Sequence, residues 1–219
     1  MSQEDRPAPD EPVIDAEALR KAEEYIEAEE GAANRLRGAL GGFVTAVAVV
    51  MSVFHLYTAY AIVPAQVLRP VHVAFVLFLS FLLFPVARRY RHRIMWWDWI
   101  AAFAGVAATA YMIYGGDDLM DRNTSPNGWD MFFGIVLVVL ILEAMRRASG
   151  WIMPVVVLAF VSYALFGEQF PGSWAHRSYE VPRLVGHLYM TLEGIFGVAV
   201  DVSSSLIMLF TIYGAFLQF

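Results

Sequence analysis

His55, His72, Asp201 and the run Ser203, Ser204 and Ser205 are the side chains placed to do chemistry, because each lies in or at the mouth of an otherwise apolar stretch. Ionisable groups in such stretches are costly and default to functional candidates. His55 falls about nine residues before the end of its stretch, and His72 opens the next one near the same face. Such a pair suits haem ligation or proton relay. A haem-binding quinone enzyme needs further pairs on facing helices, and there is none, so the two read as histidines without a cofactor. Asp201 and the three serines could line a substrate or ion path, or bond a neighbouring helix, which hydroxyls do routinely in bilayers. Ser204, His187 and Asp201 supply hydrolase residue types, but no strand, turn and helix elbow positions them. No phosphate-cradling glycine pattern is present. The chain has no cysteine, which excludes disulfides, thiolate zinc and cysteine-ligated iron–sulfur clusters. The expectation is therefore no enzyme, no metal site and no resident cofactor.

The remaining charges read as structural. Glu143 stands three and four residues before Arg146 and Arg147, on one helical face, which suits an intrahelical ion pair. Asp98, between Trp97 and Trp99, reads as the cap of one helix and Asp130 as the cap of the next.

These residues need long apolar elements to hold them. Hydrophobic types make up 58% of the 219 residues and charged types 16%, against about 45–50% and 25% in globular domains. From Gly41 to Val63 the chain is almost wholly apolar for 23 residues, about 34 Å of helix and enough to cross a hydrocarbon core of about 30 Å. Similar runs follow at Val71–Ala87, Trp99–Tyr114, Met131–Met145, Trp151–Phe166 and Val198–Phe219, six spans in all. The shorter ones borrow their ends from flanking Trp, Tyr and Arg at headgroup level. The fold expected is all-α, a polytopic helical membrane protein.

Residues 1–30 carry 11 acids and 3 bases, a local charge of −8; the rest carries 10 acids and 12 bases, or +2. A nearly neutral, apolar body leaves no basic face for nucleic acid. Residues 1–14, with three prolines among acids, are expected to be disordered. Asp15 can cap a cytoplasmic amphipathic helix, which with its linker fills residues 15–40. The acidic N-terminus lacks the basic start of a signal peptide. Alternate connections hold eight arginines (Arg35, Arg37, Arg88, Arg89, Arg91, Arg93, Arg146, Arg147) against four (Arg69, Arg122, Arg177, Arg183), which puts the N-terminus in the cytoplasm. Before the last span, Leu184, Val185, Leu188, Tyr189, Leu192, Ile195 and Phe196 share one helical face, with Pro182 in its first turn. At about 15 residues this helix is too short to cross, and it suits either the interface or the surface of its neighbours. The last span reaches Phe219 with no polar flank, the mark expected of a chain that is the front part of a longer protein.

Several segments carry a resemblance. They are Phe54-His55-Leu56-Tyr57-Thr58-Ala59; Arg69-Pro70-Val71-His72, opening a Leu/Phe-rich span that closes at Pro85; Trp97-Asp98-Trp99; Leu142-Glu143-Ala144 with Arg146-Arg147 and Gly150-Trp151; Tyr163-Ala164-Leu165-Phe166-Gly167; and the stretch from Leu188-Tyr189 through Thr191 and Glu193-Gly194-Ile195-Phe196-Gly197 to Gly214-Ala215-Phe216-Leu217. In order and spacing, over roughly residues 40–219, they resemble the N-terminal part of the fused permease of tripartite ATP-independent periplasmic (TRAP) transporters of the TAXI-partnered kind. The resemblance implies a small four-helix Q-like domain at 41–147, a connecting transmembrane helix and loop at 148–181, and the start of the large M-like transport domain at 182–219. It further implies a bacterial or archaeal inner-membrane location and import of a small organic anion driven by Na+ or H+. The implied partners are a periplasmic TAXI-type solute-binding protein, the remainder of the large subunit and the lipid bilayer. The family's cation and substrate sites lie mainly in hairpins of the large subunit, which would fall beyond Phe219. Where the family reads close to Gly-Val-Ser-Ala-Thr, this chain has Asp201-Val202-Ser203-Ser204-Ser205.

On this reading the chain is mainly a membrane scaffold; the alternatives are a free-standing anchoring subunit without transport, and a redox subunit that would be visibly coloured. Arg88, Arg89, Arg91, Arg93, Trp96, Trp97, Trp99, Arg146 and Arg147 are the residues expected to fix its depth in the bilayer. Replacing Arg88, Arg89, Arg91 and Arg93 with glutamate is expected to invert or scramble topology in a reporter-fusion assay, and unchanged topology refutes that role.

Overall fold

The computed structural model describes residues 17–22, 36, 38–87, 90 and 94–218. Among these the regular elements are all helical: α1 (Gly38–Tyr60), α2 (Ala65–Leu83), α3 (Trp96–Asp121), α4 (Gly128–Ser149), α5 (Ile152–Leu165), α6 (Val181–Met190) and α7 (Val198–Leu217). Five of them, α1 to α4 and α7, are long and apolar enough to cross a membrane. The fold is thus an all-α polytopic helical one. The fifth of the six expected spans, α5, has only 14 residues, about 21 Å against a hydrocarbon core of about 30 Å, so crossing would need its flanks Trp151 and Phe166. The acidic tail, most of the expected N-terminal helix and Arg35, Arg37, Arg88, Arg89, Arg91 and Arg93 lie outside the described residues. Within that expected helix, residues 17–22 are helical, and Lys21 pairs with Glu17 at 3.1 Å.

Helices α1 to α4 run up and down, so the end of α1, the start of α2, the end of α3 and the start of α4 share one pole. Leu77, Phe81 and Leu82 of α2 meet Ala102, Ala108 and Met112 of α3 and Leu137 of α4 in the core. Small residues on α3 admit this close approach, the usual way that helices associate where apolar burial gives little preference. Within α3, Gly116 breaks the helix at φ 48° and ψ −134°, a conformation favouring glycine, and the chain turns into a final helical turn.

Helix α6 is shorter than its apolar periodicity suggests. The pattern extends to Phe196, but the helix ends at Met190 and the chain folds back, with the Ile195 N–H donating to the Leu188 carbonyl at 2.8 Å. Its apolar face packs on α3 and α4: Val185, Tyr189 and Met190 are buried, and the Tyr189 hydroxyl donates to the Ala108 carbonyl at 2.6 Å. Burial pushes that phenol's pKa well above its ordinary value. Of the two settings open to this helix, the one observed is the surface of its neighbours. Gly186 is the contact point, since a Cβ there would run into the Asn123 carbonyl of the α3–α4 connection. Gly186→Ala is expected to cost about 1–3 kcal/mol through this overpacking, read as a lowered thermal midpoint in detergent, with Gly42→Ala, at an open position, as the neutral control.

Candidate functional site

The helix poles gather the polar side chains. At the pole where α1 ends and α2 begins, His55 and His72 face each other, with His55 Nε2 2.9 Å from His72 Nδ1. The other nitrogen of His55 reaches the Met51 carbonyl at 2.7 Å, and the other nitrogen of His72 reaches Ser203 Oγ at 3.1 Å. Both rings are buried, at 1% and 5% exposure. A line of four groups therefore joins α1, α2 and α7. Residues 17 positions apart meet because the short link Ala61–Pro64 returns the chain directly into α2, while Ser203 arrives from far along the sequence.

One turn before His72, Arg69 clasps the start of α7. Its guanidinium meets Asp201 Oδ1 at 3.0 and 3.1 Å and donates to the carbonyls of Leu192 and Phe196 at 3.3 and 3.0 Å. Those carbonyls are free because α6 has stopped and the chain has turned. Asp201, 46% exposed, and Arg69, 15% exposed, form a partly solvated pair, which limits its worth relative to a dry one. Ser204 and Ser205 point elsewhere: both hydroxyls donate to the Asp201 carbonyl, at 3.1 and 2.6 Å, within a π-helical stretch at Ser203–Ile207. Of the four path candidates, Ser203 joins the polar line, Asp201 pairs with Arg69 beside it, and Ser204 and Ser205 brace the helix backbone. Arg69 entered the sequence reading through the topology count and the Arg69-Pro70-Val71-His72 motif but not as a site residue; its place one turn before His72 in an apolar run was the available signal.

On the same pole, Asp130 is fully buried and satisfied by Arg122 at 2.8 and 3.0 Å, the Tyr111 hydroxyl at 2.8 Å and the Asn127 N–H at 2.9 Å. The hydrogen bond to Asp130 holds the Arg122 guanidinium even more firmly protonated than usual. Asn127, rather than Asp130, is the N-cap of α4; Asp130 sits at the third helical position and completes a capping box. The 167–180 connection beside it frames a polar cleft of about 970 Å³ lined by Tyr163, Glu168, His176, Arg177, Glu180 and Arg183.

The opposite pole holds a tighter cluster. Glu143 receives Arg146 at 2.7 Å and Arg147 at 2.8 Å, the intrahelical pair expected from the spacing. Arg147 also reaches Asp98 at 2.6 Å and lies over the Phe81 ring at 4.9 Å. With 4% of its side chain exposed, Arg147 is buried between the helices, where Asp98 and Glu143 neutralise it. Arg146 lies over the Trp151 ring. Met95, rather than Asp98, is the N-cap of α3; Asp98 sits at the third helical position, accepts from the Met95 N–H at 2.9 Å as part of a capping box, and carries the contact to Arg147 as well. Trp96 is 68% exposed, whereas Trp99 stacks on Phe103 at 6.0 Å.

Among the described residues no group of three or more metal-ligating side chains occurs. No protein-family model, curated protein or solved structure matches the chain. What the fold defines is a polytopic all-α protein of membrane-spanning character, with one dry ionic cluster and one partly wet polar joint at opposite poles.

Arg147→Met strips the counter-charge from buried Asp98 and is expected to destabilise by about 3–5 kcal/mol in denaturant unfolding in detergent. Adding Asp98→Asn, which keeps the cap and removes the charge, is expected to restore part of that loss; an additive double variant would refute the coupling.

Proposed function

We propose that this chain is a membrane portion of a TRAP-type secondary transporter permease, importing a small organic anion driven by a cation gradient, with a periplasmic TAXI-type binding protein. Its part is chiefly that of scaffold. Support comes first from the resemblance of residues 40–219 to that family in motif order and spacing. The observation that carries the scaffold role is the joint: Arg69 and His72, both on α2 of the bundle, hold only the first turns of α7, through Asp201 and Ser203. Beyond that joint, α7 lies against α1 and leaves Leu206, Phe210, Tyr213 and Phe216 more than half exposed. A bundle pinned to the bilayer can in this way hold the root of an attached element while the remainder moves.

In this reading α1 to α4 form the Q-like domain, α5 the connection and α7 the first helix of the transport domain, with the N-terminus in the cytoplasm. The test is uptake in cells. Deleting the reading frame and restoring it are expected to abolish and recover accumulation of at least one labelled small carboxylate, and dissipating either the sodium or the proton gradient is expected to do the same. Uptake of every anion that is the same in the deleted and the restored cells, with the chain recovered in the membrane fraction of the restored ones, overturns transport in favour of an anchoring subunit.

A further inference from the structure

We propose that His55 and His72 together form a binding site for one proton, loaded through Ser203 and felt by the first turns of α7. The proposal does not depend on the transporter reading. Its basis is the direction of three hydrogen bonds. The Met51 carbonyl can only accept, so the His55 nitrogen 2.7 Å from it, Nδ1, carries a hydrogen. In neutral His55 the opposite nitrogen, Nε2, is then bare and can only accept. Across 2.9 Å it accepts from His72, whose Nδ1 must therefore carry that ring's hydrogen. His72 Nε2 is left bare, and Ser203 Oγ, 3.1 Å away, donates to it. The line is polarised from Ser203 to Met51, with each ring the Nδ1–H tautomer.

This arrangement has room for one further proton. A proton enters at His72 Nε2, the bare nitrogen that faces a hydroxyl able to reverse its role. It can rest there as the His72 imidazolium, or His72 can pass its Nδ1 hydrogen to His55 Nε2 and become the Nε2–H tautomer beside a His55 imidazolium. In either form every ring nitrogen remains bonded. A second proton would set two N–H groups against each other across 2.9 Å and break the pair. His72 and Ser203 line a largely apolar groove of about 520 Å³ between α2, α4 and the start of α7.

Among the described residues the charged groups around the pair are few. On α2, Arg69 lies one turn from His72, and on α7, Asp201 lies two residues from Ser203 and neutralises Arg69. Helix α1 contributes only His55 itself, and α4 lines the groove with Ile141, Ala144, Met145 and Ala148, none of them titratable. Loading turns Ser203 from donor to acceptor and sends its hydrogen elsewhere. Ser203 opens the π-helical stretch of α7, and such irregular turns recur at functional positions in helices. A change in the hydroxyl's role therefore falls on the least regular turn of that helix.

The test uses the whole chain in lipid nanodiscs with nitrogen-labelled histidine. Expected at neutral pH are Nδ1–H tautomers for His55 and His72; on acidification the two take up one proton between them while both remain hydrogen-bonded. Ser203→Ala is expected to shift that uptake, and His72→Gln to abolish the shared uptake. Since the chain has no cysteine, spin labels at Val76→Cys and Tyr213→Cys report α7 cleanly. The label distance is expected to change over the same pH interval in the otherwise native chain and to stay constant with His72→Gln. Nε2–H tautomers, two independent protonations, or a label distance insensitive to pH overturns the proposal, and the tautomer measurement needs no substitution.

Discussion

A charge held among apolar helices must be neutralised and its hydrogens bonded, since little water is at hand to do either. Arg69 imposes that demand on the whole pole where α1 meets α2. Its guanidinium satisfies one carboxylate, Asp201, and two backbone carbonyls, Leu192 and Phe196. The carbonyls are available only because α6 ends at Met190 and the chain doubles back before α7 starts. Loop shape, helix length and the seat of α7 are consequences of placing one arginine there. His72 follows three residues later, so the same turn of α2 that anchors the loop also presents an imidazole to Ser203.

The two poles solve the problem of charge differently. Asp98 and Arg147 are closed off, at 2% and 4% exposure, and their separation by 49 residues means that the contact ties the start of α3 to the end of α4. Arg69 and Asp201 keep contact with solvent, and Asp201 is nearly half exposed. A dry pair resists separation because either partner alone would be a buried charge, whereas a wet pair loses much less on parting. The bundle therefore has a stiff pole and a yielding one, and the yielding one is where α7 is attached.

Much of this was legible in the sequence. Apolar runs set the helices, because length and composition alone decide what can cross a bilayer, and Glu143 with Arg146 and Arg147 was set by spacing on a single helix. What was not legible required two elements at once. Nothing local to Asp98 names Arg147 as its partner, and nothing local to Ser203 names His72. The early end of α6 was hidden for the same reason: its apolar period runs on to Phe196, but Gly194 and Gly197 admit backbone contacts that a Cβ would forbid, and Arg69 rewards the turn from a distance. Asn127 was passed over as a cap because Asp130 answers to the same motif from the other side of the box. The histidines were each visible, and their proximity followed from the short return between α1 and α2; only the arrival of Ser203 made them one line.

The cluster of Asp201 and three serines shows how a single helix turn can hold opposed duties. The Asp201 carboxylate faces Arg69 while its carbonyl accepts from both Ser204 and Ser205. Two hydroxyls on one carbonyl relieve the irregular turn of its unmet backbone demand, which lets the helix carry a π stretch without exposing polar atoms to an apolar surround. Ser203 is left over from that arrangement and turns to His72. The serines that pack the backbone are thus what frees their neighbour to reach another helix, and the polar joint rests on local bracing as much as on the charge that faces it.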